Sequence, residues 1–255
     1  MAIRILISND DGINSEGLHA LADSLRPLGK VFVVAPDREQ SAASHALSLH
    51  HPLRIEEISE NIYSVDGTPT DCINVAVNGL LKEGRPNIIV SGINKGENLG
   101  DDITYSGTVS AAMEGTLLGI PSIAVSLASK KDFFFDTASY YAQSVTKYVI
   151  TNPLPLGTLL NVNIPNLPKD SVKGIEVTKQ GKRVYGEPIV EKIDPRGRKY
   201  YWIGGNELRF LSIEDSDLVA VSQGFVSVTP IKLDLTDYEF LETLTKDLTK
   251  SLAHA

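Results

Sequence analysis

Apolar runs that stop abruptly at polar clusters set the rhythm of the first two thirds of this chain. Ile3, Ile5, Leu6 and Ile7 form the first run, and Asn9, Asp10, Asp11 and Gly12 end it. A short, nearly continuous apolar run predicts a strand buried on both faces, as parallel strands are. Leu18, Leu21, Leu25 and Leu28 then recur at helical spacing, which predicts a helix over residues 16–29 with Gly29 as its terminator. Val31, Phe32, Val33, Val34 and Ala35 make a second buried strand, and it too runs into a polar segment, Pro36-Asp37-Arg38-Glu39-Gln40-Ser41-Ala42-Ala43-Ser44. A helical crossover between parallel strands returns the chain to its starting side, so both polar loops are expected on one edge of the sheet.

Residues 45–65 break into short alternating pieces, which predict hairpin material inserted beside the main sheet. Thr68-Pro69-Thr70-Asp71 is a helix start, with Thr68 as cap, Pro69 in the first position and Asp71 reaching back. Ile73, Val77, Leu80 and Leu81 give this helix its inner face, and Cys72 is read as a packed residue within it. A strand over 87–91 leads into Gly92-Ile93-Asn94-Lys95-Gly96-Glu97-Asn98-Leu99-Gly100-Asp101-Asp102, and Tyr105-Ser106-Gly107-Thr108-Val109 then opens a helix that runs to about Gly119. Strands over 121–126 and 159–164 flank a helix over 136–150. This alternation predicts an α/β fold with a mainly parallel sheet, occupying residues 1–165. After Pro165 the rhythm is lost, and residues 166–255 read as a β-rich extension, with strands near 175–178, 199–203 and 226–229 and a closing helix from about Thr236. The basic pieces at 179–183 and 196–199 read as solvated hairpin tips, and Tyr200, Tyr201 and Trp202 as a candidate contact with a partner subunit.

Composition narrows the class. A length of 255 residues with 42% hydrophobic and 22% charged residues suits one larger α/β domain, or a core with an appendage. No apolar run reaches membrane-spanning length and no secretory leader is recognisable, so a cytoplasmic protein is expected. One cysteine excludes an intrachain disulfide, and five scattered histidines argue against structural zinc. A formal charge of -8 opposes a polymeric nucleic acid as partner. It leaves room for a small phosphate ester held by a metal and a few donors.

Three strand ends on one edge then offer Asn9, Asp10 and Asp11, next Ser41 with Ser44, next Asn94 with Lys95 and Asn98. The helix start at Ser106, Gly107 and Thr108 has the free N-H groups and positive dipole end that suit an anion. Turn formation by Asn9 to Gly12 and simple capping by Ser106 or Thr108 are the structural alternatives. Against them, two adjacent carboxylates repel one another, and a cation between them relieves the repulsion. Carboxylate, hydroxyl and amide oxygens suit a hard divalent ion, magnesium or manganese. A metal beside a phosphate site points to hydrolysis of a phosphate monoester. Asp10 and Asp11 would anchor the ion, and one of them would accept a proton from the attacking water. Asn9, Lys95, Ser106, Gly107 and Thr108 would stabilise charge growing on the phosphoryl oxygens.

Five segments together carry a resemblance: Asn9-Asp10-Asp11-Gly12; Val34-Ala35-Pro36-Asp37 with Ser41; Gly67-Thr68-Pro69-Thr70-Asp71-Cys72; Ser91-Gly92-Ile93-Asn94-Lys95-Gly96-Glu97-Asn98; and Ser106-Gly107-Thr108-Val109. In order and spacing through about residue 126 the chain resembles the SurE family, stationary-phase survival proteins that act as 5′-nucleotidases. The resemblance implies a Rossmann-like three-layer core and a metal held by Asp10, Asp11, Ser41 and Asn94. It also implies phosphate release from nucleoside 5′-monophosphates, with activity on 3′-nucleotides and polyphosphate, and homodimers or homotetramers built through an exchanged C-terminal extension. Ser110 stands where many members have glycine.

Other readings fit less well. A dinucleotide-binding module lacks its G-x-G-x-x-G turn after the first strand. A phosphorylated receiver domain needs an acceptor aspartate where Ser91, Gly92 and Asn94 stand. A haloacid-type phosphatase uses acids two apart. A non-enzymatic metal- and nucleotide-binding interaction protein is the remaining alternative.

Overall fold

A computed structural model of the protein describes residues 3–185, 189–203 and 208–252. The first part of the chain runs β1 (Arg4–Ser8), α1 (Glu16–Leu25), β2 (Lys30–Pro36), β3 (Ile55–Ser59), β4 (Ile62–Val65), α2 (Pro69–Val75), β5 (Ile88–Lys95), α3 (Gly107–Leu117), β6 (Ser122–Ala128), α4 (Phe135–Thr151) and β7 (Thr158–Pro165). Then follow β8 (Ile175–Val177), β9 (Arg183–Tyr185), β10 (Ile189–Ile193), β11 (Lys199–Ile203), β12 (Leu208–Phe210), α5 (Asp217–Ser222), β13 (Val226–Lys232) and α6 (Tyr238–Leu252).

Nine strands form one sheet in the order β3-β4-β2-β1-β5-β6-β7-β13-β8. From β4 to β7 every neighbouring pair is parallel. The chain moves outward from β1 through β2 to β4, then returns to the other flank of β1 as β5. That reversal is the topological switch point, where ligands bind in open α/β sheets. Ser8 lies level with Ser91 across the β1–β5 pair, so the two strands deliver their polar ends side by side.

Alternation along the strands builds the three layers. Ile5 and Ile7 join Leu18, Leu21, Leu25, Ala138, Ala142 and Val145 in a core shared with α1 and α4. Leu6, one residue out of phase, packs with Cys72, Ile73 and Ala111 under α2 and α3. The expected α/β, Rossmann-like fold is the one observed, and Thr68 and Asp71 form the full capping box at the start of α2.

Three expectations need correction. The hairpin at 55–65 is no insert beside the sheet, because β4 pairs in parallel with β2 and β3 extends the same sheet. Nor does the sheet stop at residue 165: β13 lies antiparallel to β7 and parallel to β8, and Val226 and Val228 enter the core. Among the described residues of the expected extension, the strand pairs β10–β11 and β9–β12 lie outside that sheet, and residues 186–188, 204–207 and 253–255 lie outside the described residues. The third concerns the basic piece at 179–183, whose Arg183 is buried. By contrast, Arg196 and Arg198 occupy an exposed hairpin turn, as expected. No described helix is long and apolar enough to cross a membrane.

Candidate active site

The site begins with the turn after β1. Gly12 has φ +92°, and a Cβ there would lie 3.0 Å from the backbone carbonyl carbon of Arg38. The side-chain amide of Asn9 donates to the Gly12 carbonyl at 3.1 Å, and the Gln40 N-H donates to the Asp10 carbonyl at 2.7 Å. The chain is thus bent out of strand geometry and fastened to the loop after β2, which lets adjacent aspartates serve one cleft.

Asp10 is 6% exposed and accepts a hydrogen bond from the Thr108 hydroxyl. Burial pushes its carboxyl up to about 6, the Thr108 bond opposes the rise, and the neighbouring Asp11 charge adds to it. Asp11 is raised by burial as well, against the pull of the Lys95 N-H, which donates to it at 3.2 Å, and of the Lys95 ammonium. Both acids therefore sit where negative charge is costly, and a cation is the natural relief.

The leading turn of α3 closes on them from the other side. Ser106 caps the helix by accepting from the Val109 N-H at 3.1 Å. A Cβ on Gly107 would stand 2.7 Å from the Asp10 Cβ and 2.9 Å from its Oδ2, a distance real side chains do not keep. Only glycine lets the helix approach the carboxylate so closely. Gly107→Ala is expected to displace Asp10 and lower phosphate release about a hundredfold, the scale of an ångström-sized misplacement in a site. Turnover within twofold of the parent in a phosphate-release assay would show that the close approach is unimportant.

Asp10, Asp11, Ser41, Asn94, Lys95, Asn98 and Ser106 all line one cleft of about 870 Å3. The other three expected residues stand behind it. Asn9 is fully buried with its amide committed to the turn; Gly107 abuts Asp10; the Thr108 hydroxyl is directed to Asp10. Several side chains at the rim are already engaged: Ser41 Oγ donates to Glu39 at 2.6 Å and Asn98 Nδ2 to Ser126 Oγ at 2.8 Å. Asn94 Nδ2 donates to the Gly96 carbonyl at 2.9 Å.

Sequence reasoning missed how the C-terminal part holds this cleft. Arg183 of β9 contacts Glu97 at 3.4 Å and Asp102 at 2.6 Å, both of them cleft residues. Lys182 pairs with Asp101 at 3.0 Å. Asp217, at the start of α5, accepts from the Gly100 N-H at 2.8 Å and the Gly181 N-H at 2.9 Å. Three acids in 97–102 with no base among them were the available signal, but their partners lie more than eighty residues away.

Strand order and cleft together define a Rossmann-like α/β protein with an acid-lined site at the switch point of its sheet. The family model described as Survival protein SurE matches residues 5–187. A protein of Geotalea daltonii named 5′-nucleotidase SurE is 56% identical over 245 residues, which cover 96% of this chain and 98% of that protein. One of the same name from Myxococcus xanthus is 55% identical over 242 residues, 94% and 92% of the two chains. The crystal structure of the SurE protein from Aquifex aeolicus superposes with a TM-score of 0.86 at 44% identity, over 95% of this chain and 98% of that one. The chain belongs to the SurE family.

Proposed function

We propose that this protein is a 5′-nucleotidase that hydrolyses the ester of nucleoside 5′-monophosphates with one magnesium or manganese ion. The observation that carries the reading is the charge of the cleft beside the start of α3: Asp10, Asp11, Glu39, Glu97 and Asp102 line it together with Lys95 and Lys130. A phosphate dianion is repelled by such walls unless a cation stands between. Relatives named 5′-nucleotidase SurE over nearly the whole length supply the substrate class.

The residues present fit a hard ion. Asp10, Asp11, Ser41 and Asn94 bring oxygen ligands to one cleft. When bound there, the ion supplies Lewis-acid polarisation of a phosphoryl oxygen. The chain supplies the rest. The positive end of the α3 dipole draws phosphoryl oxygens, although its Val109 N-H is taken by Ser106, and Lys95 opposes charge that grows on them. Asp11 is more exposed to the cleft than Asp10, and its raised carboxyl is suited to take the proton of the attacking water. Asn9 acts through the turn it fastens. The same phosphoryl recognition extends to 3′-nucleotides and polyphosphate.

Phosphate release from AMP tests the reading. Release is expected with magnesium or manganese, to be abolished by a chelator and restored by excess ion. Binding of AMP and ion without release would favour the non-enzymatic alternative instead.

Self-association as a homodimer or homotetramer belongs to the same proposal. Tyr238, Phe240, Leu241, Leu244 and Leu248 on α6 are exposed, as are Tyr200, Tyr201 and Trp202 on the β10–β11 hairpin. Apolar surface in such quantity marks an interface. Removal of residues from 236 onward is expected to lower the mass measured by light scattering, and an unchanged mass would exonerate α6.

A further inference from the structure

The phosphate-binding part of the cleft says nothing about what the rest of the substrate meets. Among the described residues two aromatic side chains line the cleft, Phe133 and Tyr105. Phe133 is already committed: it stacks on Phe135 with centroids 5.3 Å apart, and the Lys95 ammonium lies 5.7 Å from its ring centre. Tyr105 is 62% exposed, and among the described residues its ring has no aromatic or cation partner.

That exposed ring sits on a fixed mount. The Tyr105 N-H donates to the Asp102 carbonyl at 3.0 Å, and its own carbonyl accepts from the Ser44 N-H at 3.3 Å. The next residue, Ser106, is the cap of α3. Consecutive Cα atoms are about 3.8 Å apart, so a phosphate held at the leading turn of α3 brings its ester substituent within reach of the neighbouring ring. A flat aromatic surface anchored by its backbone and open on the cleft side is what stacks a nucleobase, whichever base it is.

We propose that Tyr105 is the stacking platform for the base and thereby the residue that makes this phosphohydrolase prefer nucleotides to other phosphate monoesters. The proposal rests on the 5′-nucleotidase reading and adds a specificity determinant to it. Stacking recognises the π-face and not the hydrogen-bonding edge. Purine nucleotides, with the larger face, are therefore favoured over pyrimidine ones without a strict choice of base.

The experiment compares AMP with ribose 5-phosphate, which carries the same phosphorylated sugar and no base. Tyr105→Ala is expected to lower the ratio of kcat/KM for AMP to that for ribose 5-phosphate about tenfold, the lower part of the range for loss of one base stack. The change should fall on KM for AMP, not on kcat. Tyr105→Phe and Tyr105→Trp are expected to restore the ratio, because they keep the ring. A ratio within twofold of the parent in Tyr105→Ala overturns the platform, as does an equal fall in Tyr105→Phe. So does a fall seen in Phe133→Ala and not in Tyr105→Ala. If the parent protein releases phosphate from no nucleotide, the reading of function fails on its own account. The platform is then judged by calorimetric binding of AMP, where equal affinity of parent and Tyr105→Ala overturns it.

Discussion

Replacing Asp10 with asparagine is expected to abolish phosphate release while making the ion-free protein more stable at neutral pH. The activity loss should reach at least about a hundredfold to a thousandfold, as for removal of a main electrostatic element of a site. The stability gain follows from the raised carboxyl. Its value is 3.8 in the unperturbed group and about 6 in the fold, so the folded state binds the proton more tightly than the unfolded one. That penalty is absent below about pH 4 and complete above about pH 6, where the shift corresponds to about 3 kcal/mol. An asparagine carries no charge and escapes it. Urea unfolding in the presence of a chelator should therefore show Asp10→Asn well above the parent at pH 7.5 and level with it at pH 4. A variant that is less stable at pH 7.5, or one that keeps its turnover, would refute the role given to Asp10.

Asp217→Ala is expected to be the most damaging change away from the catalytic acids. It removes the acceptor from the N-H groups of Gly100 and Gly181, which Asp217 holds at 2.8 and 2.9 Å while being 1% exposed itself. Each buried N-H left without a partner costs about 1–3 kcal/mol, so a total near 4 kcal/mol is expected. Activity should fall with it, because the loosened loop carries Asn98 and Asp102 into the cleft. Asp217→Asn should be milder. Burial already pushes the Asp217 carboxyl up, and the amide keeps one oxygen for Gly181 but turns an N-H group toward Gly100. Thermal melting and AMP turnover check both variants, and an Asp217→Ala protein that melts with the parent would show that the clamp is slack.

Much of the site was legible because it is built from local signals. The apolar run before Asn9, the turn at Gly12 and the cap at Ser106 each depend on residues a few positions apart, and all three stand where the pattern put them. The capping box of Thr68 and Asp71 is of the same kind. What escaped depends on pairings between distant parts of the chain. Nothing near Arg183 distinguishes a buried ion partner from a solvated hairpin tip, since its acids sit at 97 and 102. The short strand β13 looks like appendage material until β7 offers it an edge. Thr108 was expected to face the phosphate, and only the approach of α3 to β1 reveals that its hydroxyl is directed to Asp10.

The insertion of β13 between β7 and β8 bears on how the molecule comes into being. A chain leaving the ribosome can assemble β1 to β7 as they emerge, because β2 and β4 to β7 each pair with a strand already made and β3 waits only for β4. The loop at 97–102 must wait for residues 183 and 217, and the sheet for 226–232. Contacts of such long sequence separation form late. A nascent or prematurely ended chain therefore carries its acids on an unfinished scaffold, and only the completed chain presents a finished cleft to a substrate.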